Sequence, residues 1–117
     1  MNDLPTFGLF FETLAVRDLR IYMDALDGET LHYKDKTGME CDAVLHRRDG
    51  RYGLVEIKLG GDSLIEEGAS SLGKLARLIA SRKMPKPSFQ MVLTAVGDLA
   101  YRRPDGIFVV PVSALRP

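Results

Sequence analysis

The sequence predicts a single α/β domain, a mixed β-sheet flanked by helices in the order α-β-β-β-α-β, closed by a C-terminal strand. Three observations carry that expectation. A chain of 117 residues is long enough for one hydrophobic core and too short for two. Two long stretches repeat their apolar residues at helical spacing. The remaining segments are short, rich in β-formers and bounded by Gly, Pro and Asp turn signals.

Thr6-Phe7-Gly8-Leu9-Phe10-Phe11 opens the first helix, which runs to about Leu26 before Asp27-Gly28 stops it. Phe7, Phe11, Leu14, Ile21 and Ala25 recur at helical spacing and are expected to form its buried stripe. A second apolar stripe holds Ala15, Val16, Leu19 and Met23, with Glu12 among them. Leu31-His32-Tyr33-Lys34 reads as the first strand, followed by a turn at Thr37-Gly38, and residues 40–59 read as a hairpin. Gly60-Gly61 then breaks the chain, and Asp62 or Ser63 is expected to cap the second helix, Ser63 and Glu66 having capping-box spacing. Leu64, Ile65, Ala69, Leu72, Leu75, Ala76 and Ile79 supply that helix with a buried face. Gly68 and Gly73 weaken it by roughly 1 kcal/mol each relative to alanine, unless close packing on the sheet needs their smallness. Arg82-Lys83-Met84-Pro85-Lys86-Pro87 ends it in a basic turn, suited to a helix C-terminus and also to phosphates. Phe89-Gln90-Met91-Val92-Leu93-Thr94 is apolar enough for a central strand. Tyr101-Arg102 and residues 107–110 flank a turn at Arg103-Pro104-Asp105-Gly106, and residues 112–115 form a short terminal turn.

The hairpin carries the chemistry. Asp42 lies in Glu40-Cys41-Asp42-Ala43-Val44-Leu45, and Glu56-Ile57-Lys58 follows fourteen residues later. Carboxylates and a lysine inside apolar strands are costly to bury. A two-residue turn at Asp49-Gly50 would pair 42 with 57 and split the carboxylates across the sheet. A three-residue loop, Arg48-Asp49-Gly50, pairs 47 with 51, 44 with 54 and 42 with 56. This register is preferred, because it stacks Cys41, Ala43 and Leu45 on Ile57, Val55 and Gly53. Gly50 then takes the left-handed position that glycine enters cheaply. Asp42 and Glu56 would share one face and hold Mg2+ or Mn2+, with Lys58 beside an attacking water. A plainer reading puts Asp42 at a frayed strand end and Glu56-Lys58 in an edge ion pair. His46 falls on the Asp42 face in this register, or at an exposed strand end.

Sixteen basic and sixteen acidic residues cancel, so no global field draws the chain to nucleic acid, although a local basic patch can still do so. One cysteine, Cys41, excludes an internal disulfide and fits a reducing cytoplasm, and its place within a strand suits a buried thiol. Two histidines and one cysteine are too few for a zinc site. No stretch approaches a membrane span, no signal-peptide pattern opens the chain, and no phosphate-binding GxxxxGK loop occurs.

The spacing of Asp42 and Glu56-Ile57-Lys58 resembles the D…(D/E)-x-K pattern of the PD-(D/E)XK nuclease superfamily, and the element order resembles its restriction-endonuclease-like core. In that fold an acidic residue on the first helix often reaches the metal site, which implies a role for Glu12; pairing with a neighbouring arginine is the alternative. More specifically, the chain is similar to the nuclease-like C-terminal domain of a prokaryotic family of AAA-type ATPases. The matching pieces are Thr6-Phe7-Gly8 with Phe11-Glu12, Arg17-Asp18-Leu19-Arg20, Tyr33 through Gly38 before Glu40-Cys41-Asp42, Glu56 through Gly60, and Tyr101 through Pro111. The resemblance implies a domain, residues 1–117, that lacks the ATPase module and is a fragment or a truncated gene product. It implies catalytic positions at Asp42, Glu56, Lys58 and Glu12, of which Asp42, Glu56 and Glu12 would be metal ligands. Two functions follow: an accessory domain binding DNA, an ATPase or another protein, or a Mg2+-dependent DNA phosphodiesterase.

Overall fold

A computed structural model describes residues 3–115, with side chains from Gly8 onward. Helix α1 spans Asp3–Ala25, then come β1 (Glu29–Lys34), β2 (Glu40–His46) and β3 (Tyr52–Lys58). Helix α2 (Asp62–Ser81) leads to β4 (Phe89–Thr94), β5 (Tyr101–Arg102), β6 (Phe108–Pro111) and a terminal 3-10 turn at Val112–Leu115. The six strands form one mixed sheet in the order β1-β2-β3-β4-β6-β5. The pairs β1–β2, β2–β3 and β5–β6 are antiparallel, while β3–β4 and β4–β6 are parallel. The chain is thus an α/β domain with two α-helices on a mixed six-stranded sheet. None of its helices is long and apolar enough to cross a membrane, among the described residues.

The β2–β3 register is the one the three-residue loop requires: Ala43 pairs with Val55, Val44 with Leu54 and His46 with Tyr52. The Arg47 N–H donates to the Arg51 carbonyl at 2.8 Å, and Gly50 has φ +94°. Asp49 secures the loop by accepting the Arg51 backbone N–H at 3.0 Å and its guanidinium at 2.8 Å.

Each helix covers one face of the sheet. On the first face Ala15, Leu19 and Met23 of α1 pack on Ala43, Leu45, Val55, Ile57, Met91 and Leu93. This corrects the expected stripe, since Leu14 is 37% and Ile21 62% exposed and Ala25 is exposed as well. Phe11 packs at the margin of the core, and the Phe7 side chain lies outside the described residues. The stripe that holds Glu12 is the buried one. On the second face Ala69, Leu72, Leu75 and Ile79 of α2 pack on Leu54, Val92 and Ile107.

The start of α2 differs from expectation, while α1 stops at Asp27-Gly28 as expected. The N-cap of α2 is Gly61 at φ 89°, without a side-chain cap, so Asp62 and Ser63 lie inside the first turn. Helix α1 ends with Asp27 in the left-handed region, at φ 57°, while Gly28 donates to the Met23 carbonyl at 2.8 Å. Glycine is needed at 28 for space: a Cβ there would stand 2.8 Å from the His46 carbonyl oxygen.

The two glycines of α2 separate cleanly. A Cβ on Gly68 would meet Val92 at 3.2 and 3.3 Å and the Lys58 stem at 3.4 Å, and Val92 is fully buried. At Gly73 the nearest atom is the end of the Arg77 side chain, 3.6 Å away. Gly73→Ala is therefore expected to stabilise the domain by up to about 1 kcal/mol. Gly68→Ala is expected to destabilise it by about 1 kcal/mol, overpacking outweighing propensity. Chemical denaturation of both variants checks the contrast, and equal responses would refute the close-packing role of Gly68.

Candidate acidic site

The site lies at the carboxyl end of β3, the first of three parallel strands. In open α/β sheets that end of the strands is where ligands bind. Side chains alternate along β3, so Leu54, Glu56 and Lys58 point toward α2 while Val55 and Ile57 point toward α1. Glu56 is only 7% exposed. Lys58 reaches α2, where its Nζ lies 2.9 Å from Glu67 Oε1.

Asp42 is held by a local departure from the ladder. The β1–β2 register shifts between Leu31 and Tyr33, and the regular β2–β3 pairs end at Ala43 and Val55. Continued alternation would turn Cys41 toward α1; instead it packs in the α2-side core. This corrects its expected stacking on Ile57. Where the next backbone pair would form, the Ile57 N–H donates to Asp42 Oδ2 at 2.8 Å. A carboxylate that accepts a bond from a neighbouring strand's backbone lies close to the plane of the sheet. Asp42 thus stands in the opening between β2 and β3.

From that position it meets one acid on each side. Glu12, on α1, lies beside Asp42, and burial followed by the Asp42 carboxyl raises its pKa. Glu56, on the other side, is pushed well above the usual carboxylate range, first by burial and then by hydrogen bonding and repulsion from Asp42. Asp42 is the carboxyl group that perturbs each of them most. The arrangement is two carboxyl pairs sharing Asp42, rather than three acids around one point. Accordingly, among the described residues no group of three His, Cys, Asp or Glu side chains is placed to hold a metal ion.

An all-oxygen donor set is the chemistry of Mg2+ and Mn2+, ions that commonly take one or two carboxylates and keep several waters. The Asp42–Glu56 pair fits that pattern. Glu12 reaches Asp42 and not Glu56, so it would act on such an ion only at one remove. His46 lies elsewhere, in a cavity with Tyr33, Tyr52 and Arg82. Cys41 is fully buried, and burial followed by repulsion from Glu56 raises its thiol to about 12. Its Sγ donates to the Ala43 and Val55 carbonyls, as suits a structural thiol.

Fold and site together define an α/β domain with a mixed sheet and an acidic cluster, Glu56 buried and Glu12 and Asp42 partly so, at the carboxyl end of β3. Within that class the chain belongs to DUF4143, a domain of unknown function, whose family model matches residues 7–115. No curated protein and no solved structure matches the chain.

Proposed function

We propose that the domain is an accessory module of restriction-endonuclease-like fold that works beside an AAA-type ATPase. It binds a partner protein or a nucleic-acid strand and does not cut by itself. The observation that carries this reading is the 2.9 Å ion pair between Lys58 and Glu67, which engages the one lysine of the motif with a carboxylate of α2. A phosphodiesterase needs that cation where charge develops on the scissile phosphate. The outer face of α1, with Phe10 60% and Ile21 62% exposed, supports partner binding, because apolar side chains at helical spacing commonly mark a docking face.

A second reading, a Mg2+-dependent DNA phosphodiesterase using Asp42, Glu56 and Lys58, is favoured by Asp42, which the Ile57 N–H holds beside Glu56. A bound Mg2+ or Mn2+ would polarise a phosphate oxygen and acidify a water there. The chain's own contribution would be to orient Asp42 through that N–H and to let Glu56 release its proton as the cation enters.

Glu67→Ala decides between the two. The pair is largely exposed at Glu67, so its loss should cost little stability while freeing Lys58. With plasmid and single-stranded DNA plus Mn2+, wild type and Glu67→Ala are both expected to leave the DNA intact. Cleavage by Glu67→Ala that Glu67→Ala/Lys58→Ala abolishes would make the phosphodiesterase reading the better one.

A further inference from the structure

A cavity of about 510 Å³ opens between α1 and the β1 edge, beside the acidic pair of Glu12 and Asp42. Arg17 and Arg20 of α1 line it with them, as does His32 from the shifted segment of β1. His32 is engaged by Glu40 at 2.8 Å. Neither arginine has such a partner: among the described residues neither is in an ion pair or a side-chain hydrogen bond. The other charged partnerships show what satisfaction looks like here. Arg103 is held by both Glu66 and Asp105, Arg51 by Asp49, and Lys58 by Glu67.

Helical geometry explains the placement. Arg17 and Arg20 are three residues apart on one side of α1, and Glu12 lies one to two turns before them, angled toward the sheet. The helix therefore presents two free guanidiniums and a carboxylate to the same space. Lys58 faces α2 and lines none of it. The unpaired cations that line this cavity come from α1. Guanidinium forks match phosphate oxygens bidentately.

We propose that Arg17 and Arg20 form the phosphate-binding subsite of this cavity, and that its ligand is a phosphodiester strand lying along α1. The inference deepens the nucleic-acid reading given above and rests on it for the choice of strand. It does not require a metal ion or any cleavage.

The test is fluorescence anisotropy of a labelled single-stranded oligodeoxynucleotide in EDTA, across a range of salt. Wild type should bind. Arg17→Ala/Arg20→Ala should weaken binding at least tenfold, and lower the slope of log K against log salt by about 1.4, two phosphates' worth on a single strand. Arg17→Lys/Arg20→Lys keeps the charge and should recover part of the affinity, the lost fork geometry accounting for the rest. Arg48→Ala/Lys83→Ala removes the same charge from other loops and should change little. Inorganic pyrophosphate serves as competitor: displacement of the strand only at millimolar concentration supports a polymer ligand, whereas submicromolar displacement would replace it with a small phosphate compound and overturn the strand. Absence of binding by wild type, or equal losses in the two double-alanine variants, would overturn the subsite. Melting curves should show that the variants remain folded, both arginines being exposed. A divalent-ion response without strand binding defeats this proposal alone, and strand binding without that response leaves it standing.

Discussion

Glu56→Gln is expected to stabilise the domain at pH 8 and to do nothing near pH 3. Glu56 is 7% exposed and its pKa is raised by burial and by Asp42. In the unfolded chain it titrates near the ordinary glutamate value of about 4.3. With the folded pKa the higher of the two, the native state binds more protons than the unfolded state over the interval between them. Stability therefore falls as pH rises through that interval. Below it both states carry the proton and the penalty vanishes. Glutamine reproduces the protonated side chain, and its amide can still donate to Asp42. The gain at pH 8 should be on the order of 2 kcal/mol, since each pH unit between the two pKa values contributes about 1.4 kcal/mol and relaxation discounts the total. For a domain of this size that is a rise in Tm on the order of 10 °C. Denaturation of wild type and variant at closely spaced pH values reads it directly. A difference that stays constant with pH would show that Glu56 is not the titrating group.

What was readable in the sequence follows the range of the interactions involved. Turn chemistry is local, so Arg48-Asp49-Gly50 gave the hairpin register, and the Pro-Asp-Gly turn gave the β5–β6 pair. Period-two alternation then sent Glu56 and Lys58 to one face. The choice of face on α1 was not local. Phe7, Phe11, Leu14, Ile21 and Ala25 make as regular a stripe as Ala15, Val16, Leu19 and Met23, and only the shape of the covered sheet selects the second. Its residues fit against Ala43, Val55 and Leu93. Asp42 was assigned to a face by counting along β2. The register shift is a bulge in β2, where Asp42 and Ala43 together stand against His32 alone of β1, and the extra residue breaks that count. Arg17, Asp18 and Arg20 make a charged cluster on α1, and such a cluster suits solvent as well as an interface. Their shared cavity with Asp42 depends on β1 approaching α1, a pairing that no local pattern encodes. Lys58 reaches Glu67 across the strand-to-helix connection, a contact that parity permits and sequence spacing does not announce.

The same excess of carboxylate predicts how the site answers to divalent cations. At pH 8, millimolar Mn2+ or Mg2+ should raise the Tm of wild type, because an ion that binds only the native state stabilises it by about 2.7 kcal/mol at one hundred times its Kd. Entry of the ion must displace the Glu56 proton. Apparent affinity should consequently climb with pH, by about tenfold per unit while Glu56 remains protonated. Glu56→Gln should lose the response together with the pH dependence. Asp42→Asn should lose it too while remaining folded, since an amide oxygen can still accept the Ile57 N–H that Asp42 now holds at 2.8 Å. Asp42→Ala is the poorer probe, because it strands that N–H at a cost of about 1–3 kcal/mol and confuses lost binding with lost structure. Glu12→Gln is the discriminating variant. If Asp42 and Glu56 are the ligands and Glu12 stands on the far side of Asp42, most of the response survives its neutralisation. Complete loss in Glu12→Gln would mean that the helix carboxylate swings into the shell and that all three acids converge on the ion. An unchanged response in Asp42→Asn would move the binding away from this site to the protein surface.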